Sequence, residues 1–147
     1  MPEFNVLVVD DENDFRETLV KRLRKRNLDV QGVESGQKAL DLLDKVRVDV
    51  AILDVKMPGK DGLETLQEIK RKQPLIEVIM LTGHGSNELG IQGMKLGAFE
   101  YVMKPADIDD LMNKMRRAHK KKCFHEKQIH QAIDLTADAG QIADQEI

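Results

Sequence analysis

The stretch ILDVKMPGKDG, residues 52–62, ends an apolar run with a lone carboxylate, Asp54, and follows it with a Pro-Gly turn. A short run of branched apolar residues that is closed by a turn is typical of a strand buried on both faces. An unpaired charge at the end of such a strand is costly to bury. We therefore expect Asp54 to have a chemical use and expect the fold to bring partners to it.

Strand-like runs alternate with helical runs five times along the 147 residues. The predicted strands lie at residues 4–9, 28–33, 49–54, 75–82 and 99–104. The predicted helices lie at residues 13–27, 36–46, 62–72, 86–97 and from about residue 107 onward. The strand at 28–33 is the most polar, and we expect it at a sheet edge. This alternation predicts a doubly wound α/β fold with a parallel sheet covered on both faces.

Polar side chains stand at the ends of four of these strands. They are Asp10, Asp11, Asp54, Thr82 and Lys104. Because ligands bind beyond the carboxyl ends of strands in such sheets, we expect these side chains to form one site. Three carboxylates held together repel one another unless a cation lies among them, and Mg²⁺ prefers carboxylate oxygens while keeping room for a phosphoryl group. Lys104 would then supply a point charge to phosphoryl oxygens, and Thr82 a hydroxyl donor.

Composition argues against several other classes of protein. The net charge is −3 and aromatic residues make up 3%, so we expect no direct nucleic-acid binding by this chain. No apolar run approaches the roughly 18 residues that a membrane span needs, so we expect no membrane contact. The N-terminus is acidic and lacks a signal-peptide pattern, and Cys123 is the single cysteine. We therefore predict a cytoplasmic protein.

Four motifs in this order resemble the receiver domain of two-component response regulators. They are VVDDE (8–12), ILDVKMPGKDG (52–62), LTGHGS (81–86) and YVMKPAD (101–107). The resemblance covers about residues 4–118, so we assign residues 1–118 to a receiver domain. It implies a flavodoxin-like, CheY-like fold with five helices and strand order 2-1-3-4-5.

The resemblance also implies a role for each site residue. Asp54 would be the phosphoacceptor, and Asp11, Asp54 and the main-chain carbonyl of Lys56 would bind Mg²⁺ directly, with Asp10 acting through a water. Thr82 and Tyr101 would be the switch pair, and the Lys104–Pro105 bond would be cis. In the loop after Asp54, Gly59 and Gly62 would allow a sharp turn, and Gly83, beside Thr82, would leave space for a phosphoryl group.

The implied partners are a sensor histidine kinase or phosphotransfer protein and a downstream protein target. The target, or a second copy in a homodimer, would contact the face formed by the fourth helix, fifth strand and fifth helix. The glycines of LGIQGMKLG (89–97) either make the fourth helix marginal, so that it can shift, or permit close packing.

Alternative functions remain open at this point. An aspartate-nucleophile phosphatase needs a second aspartate two residues after the nucleophile, where this chain has Lys56, so we expect no enzyme activity beyond slow self-dephosphorylation. A nucleotide-binding module is disfavoured because no phosphate-binding P-loop motif occurs. The chain could be a complete single-domain regulator or the receiver fragment of a longer DNA-binding transcription regulator.

Residues 119–147 lie outside the resemblance and are too few for an output domain. They could extend the fifth helix, which could then dimerise as a coiled coil, or they could form a frayed helix followed by a flexible acidic tail. We favour the second alternative. The basic run KMRRAHKKK (114–122) is interpreted as a solvated helix end rather than a phosphate-binding patch.

Overall fold

The computed structural model describes residues 1–57, 61–83 and 87–146, with side chains as far as Leu135. The predicted Pro-Gly turn with Gly59 and the first residue of the predicted fourth helix, Ser86, lie outside the described residues. The elements in chain order are β1 (Asn5–Val9), α1 (Asn13–Arg24), β2 (Asp29–Val33), α2 (Gly36–Leu43), β3 (Val50–Asp54), α3 (Gly62–Lys72), β4 (Glu77–Thr82), α4 (Asn87–Lys95), β5 (Glu100–Met103) and α5 (Ile108–Glu146).

The five strands form one parallel sheet in the order β2-β1-β3-β4-β5. This confirms the predicted doubly wound α/β fold and its strand order. Every residue of β3 and β4 is buried, whereas three of the five residues of β2 are exposed. The central strands read as unbroken apolar runs because helices cover both of their faces, and the polar strand lies at the edge as predicted.

Side chains of each strand alternate between two apolar layers. Val50 and Ile52 of β3 pack with α1 and α5, while Ala51 and Leu53 pack with α2, α3 and α4. Because successive side chains of a strand point to opposite faces of the sheet, the core consists of two apolar layers, one on each face. Since both layers hold β3 in place, the position of Asp54 at its end is fixed from both sides.

Local signals set the starts of two helices. The hydroxyl of Ser35 accepts a hydrogen bond from the N–H of Lys38 at 3.2 Å, and the carboxylate of Asp61 accepts one from the N–H of Glu64 at 2.8 Å. Both are N-cap contacts, which satisfy helix donors that have no partner within the helix. α1 ends at Arg24, before the predicted residue 27, and Asn27 has the left-handed φ of 64°.

α5 differs from the prediction because its backbone is helical through Glu146. Residues 119–146 therefore form the helical extension, the alternative we had not favoured, and the basic run 114–122 lies inside the helix rather than at its end. Assigning residues 1–118 to a separate domain stays a prediction. Although α5 has 39 residues, neither it nor any other helix among the described residues is long and apolar enough to cross a membrane.

One member of the basic run is not solvated, contrary to the prediction. Lys122 is only 6% exposed, and its ammonium lies 3.0 Å from Oδ1 of Asp49, which is 4% exposed. Lys122 also pairs with Glu126, and Asp49 accepts a hydrogen bond from the N–H of Asn5 at 2.9 Å. Burial alone would raise the pKa of Asp49, but these donors and Arg47 together lower it. The ion pair between Lys122 and Asp49 therefore holds α5 against the sheet at the amino end of β3.

Candidate phosphoryl-acceptor site

The site lies at the carboxyl edge of the sheet, where four neighbouring strands end together. In the parallel register Val9 pairs with Leu53, Asp54 with Leu81, and Thr82 with Met103. The residues that follow β1 and β5 therefore emerge beside the last residues of β3 and β4. This brings the predicted site residues from four distant parts of the sequence to one rim.

Three carboxylates meet at this rim. One oxygen from each of Asp10, Asp11 and Asp54 lies within 4.8 Å of the others. Asp10 and Asp54 are buried, at 0% and 5% exposed, while Asp11 faces solvent. The arrangement joins two sheltered carboxylates to one accessible carboxylate, which leaves an open side for a ligand.

The pKa of Asp54 is raised from 3.8 to about 6. Burial is the main cause, and the neighbouring charge of Asp10 adds to it, while Lys104 acts in the opposite direction. Asp54 thus sits where negative charge is in excess, and a bound cation would relieve that excess.

The donor set fits a hard divalent cation. All three side chains offer carboxylate oxygens, which Mg²⁺ prefers. Both oxygens of Asp10 already have donors beside them, because the N–H of Glu12 donates to Oδ1 at 2.9 Å and the ammonium of Lys104 lies 2.9 Å from Oδ2. A carboxylate oxygen can accept from more than one donor, so Asp10 can also accept from a metal-bound water.

Lys104 supplies the positive charge of the site. Its Nζ lies 2.9 Å from Oδ2 of Asp10, 3.6 Å from Oδ2 of Asp54 and 3.7 Å from Oε1 of Glu12. Burial alone would lower the pKa of Lys104, but these carboxylates outweigh it and the pKa is raised. The ammonium therefore stays charged and in reach of Asp54. The Lys104–Pro105 peptide bond is cis, as expected.

The chain leaves β3 in very close contact with the start of α3. The N–H of Lys56 donates to Oδ1 of Asp54 at 3.2 Å, and the role of the Lys56 carbonyl as a metal ligand stays a prediction. A Cβ added to Gly62 would lie 2.2 Å from the main-chain oxygen of Asp54. Gly62 is therefore needed for close approach of two backbones, whereas the sequence had suggested a sharp turn.

Thr82 and Tyr101 lie on the adjacent strands β4 and β5. The buried hydroxyl of Thr82 donates to the main-chain oxygen of Val102 at 3.4 Å, a long bond. A Cβ added to Gly90 of α4 would lie 2.9 Å from Cγ2 of Thr82 and 3.1 Å from the ring of Tyr101. Of the two explanations offered for the glycines of α4, the structure supports close packing, and it places Gly90 against both members of the predicted switch pair.

Sequence reasoning missed two supporting contacts. The guanidinium of Arg16 donates to the main-chain oxygen of Asp10 at 2.8 Å, and the ring of Phe15 lies under the ammonium of Lys104. Phe15 and Arg16 are the third and fourth residues of α1, which begins two residues after Asp11, and no pattern in the sequence alone indicates either contact. The structure brings together four of the predicted residues: Asp10, Asp11, Asp54 and Lys104. Thr82 and Tyr101 lie beside this group, on β4 and β5.

The fold and the aspartates that lie with Lys104 at the carboxyl ends of the strands define a receiver-type module. Comparison with known proteins supports this assignment. The family model "Response regulator receiver domain" matches residues 6–116, and the chain belongs to this family. Receiver domains are signalling domains, and phosphorylation and Mg²⁺ binding at an acidic pocket are general properties of the family.

Relatives of known sequence and structure include several regulators. The chain is 37% identical over 111 residues to the DNA-binding transcriptional regulator NtrC of Klebsiella pneumoniae, and 31% identical over 142 residues to the regulatory protein AtoC of Escherichia coli. These matches cover 76% and 93% of this chain. They cover 24% and 30% of the relatives, so the chain spans less than a third of the length of either protein.

Solved structures give the same result. A receiver domain protein from Clostridium thermocellum superposes with a TM-score of 0.79 at 35% identity, covering 82% of this chain and 98% of that one. NtrX from Brucella abortus in complex with ADP superposes with a TM-score of 0.81 at 29% identity, covering 86% of this chain and 29% of that one. Receiver domains of NtrC- and NtrX-like regulators interact with histidine kinases and with downstream effector domains.

Proposed function

We propose that Asp54 is the phosphoacceptor of this receiver, taking a phosphoryl group from a sensor histidine kinase or a phosphotransfer protein. The observation that carries the proposal is the convergence of Asp10, Asp11 and Asp54 within 4.8 Å, with the ammonium of Lys104 3.6 Å from Asp54. An acidic cluster with a lysine ammonium beside it, at the carboxyl ends of parallel strands, suits phosphoryl transfer, which depends on positioning and on neutralising charge.

The chemistry needs one nucleophile and one leaving group. An oxygen of the Asp54 carboxylate attacks phosphorus, the phosphorus–nitrogen bond of the phosphohistidine breaks, and the nitrogen keeps the electron pair of that bond. The product is an acyl phosphate on Asp54 and an unphosphorylated histidine on the partner. Lys104 stabilises the charge that builds on the phosphoryl oxygens, because its ammonium already lies beside Oδ2 of Asp54.

Three side chains and one main-chain group would hold the metal. Asp11, Asp54 and the carbonyl of Lys56 are proposed as direct ligands and Asp10 as a ligand through water. When bound, Mg²⁺ would neutralise the carboxylates and offer a coordination position to a phosphoryl oxygen. Both oxygens of Asp10 already face donors, the N–H of Glu12 and the ammonium of Lys104, each at 2.9 Å, and this supports the indirect role.

Phosphorylation would be read through Thr82 and Tyr101. The long hydrogen bond from Thr82 to Val102 is weak enough to exchange for one to a phosphoryl oxygen, and Tyr101 would then turn inward. The face made by α4, β5 and α5 would change with them and would contact a downstream protein or a second copy of the chain.

We propose no direct contact of this chain with nucleic acid or membrane, slow self-dephosphorylation at most, and a cytoplasmic location.

A second candidate is the receiver portion of a longer DNA-binding transcription regulator. It is favoured by the similarity to NtrC, of which this chain matches only 24%. The length of the natural gene distinguishes this candidate from a single-domain regulator. Both share the chemistry at Asp54.

The test is phosphorylation by acetyl phosphate with Mg²⁺, followed by intact mass spectrometry. The wild type should gain one phosphoryl group, and Asp54→Asn should gain none. Chelation of Mg²⁺ by EDTA should abolish the gain in the wild type. A phosphoryl group on both proteins would place the acceptor elsewhere and would refute the proposal.

A further inference from the structure

Phe15 presents the face of its ring to the ammonium at the centre of the site. Nζ of Lys104 lies 4.4 Å from the ring centroid, within the range of a cation–π interaction. Phe15 is half-buried and packs against the apolar layer between the sheet, α1 and α5. The core therefore holds the ring, and the ring in turn meets the ammonium from the α1 side.

The ammonium has competing acceptors around it. Asp10 and Asp54 lie on the sheltered side at 2.9 and 3.6 Å, and the Glu12 side chain, which is 67% exposed, lies at 3.7 Å. Lysine has a flexible four-carbon stem with many rotamers, so an exposed acceptor can draw the charge toward solvent. A further contact that attracts the ammonium without accepting its hydrogen bonds would help to keep Lys104 directed at Asp54.

An aromatic face suits this task better than another carboxylate. It attracts the cation electrostatically but leaves the N–H donors of Lys104 available for Asp10, Asp54 and an incoming phosphoryl group. It also adds no negative charge to a rim where the pKa of Asp54 is already raised by burial and by Asp10.

We propose that Phe15 is a positioning residue that holds the Lys104 ammonium beside Asp54. The inference rests on the proposed function, since it gives Phe15 a part in phosphoryl transfer to Asp54. Phe15 touches no reacting atom and acts through Lys104 alone. If Phe15 only packed against its apolar neighbours, another apolar side chain could replace it. A cation–π contact with Lys104 requires the aromatic ring.

The test compares Phe15→Leu with two other variants. Phe15→Tyr keeps the ring, and Phe99→Leu is a matched control, because Phe99 is also half-buried against the same apolar layer and has Lys121 5.6 Å above its ring. Phe99 immediately precedes β5, at the opposite edge of the sheet from Asp54. All four proteins are checked for folding by circular dichroism before phosphorylation is measured.

Phosphorylation by acetyl phosphate should slow about three- to tenfold in Phe15→Leu and stay within twofold of wild type in Phe15→Tyr and Phe99→Leu. The ε-methylene protons of Lys104 should show an upfield ring-current shift by NMR that only Phe15→Leu removes. This shift reports on the contact whether or not the protein is phosphorylated.

The two proposals fail in different ways. A wild type that is phosphorylated on Asp54, together with a Phe15→Leu variant of equal rate, would overturn the role of Phe15 alone. An equal loss in Phe99→Leu, or the lack of a ring-current shift in the wild type, would also overturn it. A wild type that takes no phosphoryl group on Asp54 would overturn the proposed function and this inference with it.

Discussion

The ion pair between Lys122 and Asp49 should contribute strongly to stability. Its atoms are 3.0 Å apart, and the two residues are 6% and 4% exposed. Removing one partner of a buried pair costs about 3–5 kcal/mol, because the other charge stays buried. In Lys122→Met, Asp49 keeps the N–H of Asn5 at 2.9 Å and Arg47 at 3.7 Å. We therefore expect a loss of about 2–4 kcal/mol, somewhat less than for a pair whose remaining charge has no other partner.

The loss is measured by urea and thermal unfolding near neutral pH. For a chain of this size it corresponds to a fall in Tm of about 6–12 °C. Lys120→Met is the matched control, since Lys120 is exposed on the same helix, and it should change stability by no more than about 0.5 kcal/mol. Asp49→Asn combined with Lys122→Met should cost less than the sum of the two single changes.

Acid should reduce the difference between Lys122→Met and wild type. The pKa of Asp49 is lowered in the folded state, so its contribution is present above the unfolded value of 3.8 and is lost as the pH falls toward the lowered pKa. Without Lys122 the pKa of Asp49 should rise, and the two stability curves should converge below about pH 4. Equal losses in Lys122→Met and Lys120→Met, or a gap that stays constant with pH, would refute this account of the pair.

Three further changes test the phosphoryl-acceptor site. Asp54→Asn should stabilise the metal-free protein near pH 7.5 by about 1–2 kcal/mol after discounting for solvent screening, because the pKa of Asp54 is raised from 3.8 to about 6 and its charge opposes folding above that pH. The gain should fade as the pH falls through about 6, and unfolding in EDTA that shows no gain would contradict it. Thr82→Ala should be phosphorylated within about twofold of the wild-type rate but lose the phosphorylation-dependent change in the Tyr101 ring signals by NMR; an unchanged Tyr101 response would exclude the coupling. Gly62→Ala should lose about 1–3 kcal/mol in urea unfolding, because its methyl group would lie 2.2 Å from the main-chain oxygen of Asp54, and wild-type stability would exclude that contact.

The fold and the gathering of acids could be predicted because both follow from periodicity and strand direction. Apolar runs alternating with helices imply a parallel sheet, and a parallel sheet brings Asp10, Asp54 and Lys104 to one edge whatever their separation in sequence. The polarity of residues 28–33 predicts an edge strand, because an edge strand is partly exposed to solvent. These arguments require only the order of strands and helices along the sequence and the direction of each strand.

The contacts that could not be predicted depend on where side chains meet in three dimensions. Lys122 belongs to a run of basic residues that reads as solvated, and its burial depends on how far α5 reaches across the start of β3. Phe15 reads as one more core residue of α1, and only the path of Lys104 shows that its ring meets a cation. Gly62 reads as a turn residue, although the structure requires it for backbone approach.

One buried aspartate stands directly before β3 and another at its end, and the two differ in their charged neighbours. Asp49, directly before β3, has the ammonium of Lys122 at 3.0 Å and a backbone N–H, and its pKa is lowered. Asp54, at the other end, shares the ammonium of Lys104 with Asp10, which is closer to it, and its pKa is raised. Burial raises the pKa of both carboxylates, so the difference arises from their neighbours. The N–H of Asn5, Lys122 and Arg47 lower the pKa of Asp49, whereas the charge of Asp10 raises the pKa of Asp54 further. At the start of β3 the chain itself supplies cations to the buried carboxylate, whereas among the described residues Asp54 must share one ammonium with Asp10. A divalent cation could supply the missing positive charge, and we propose that this deficit suits Asp54 to accept a phosphoryl group.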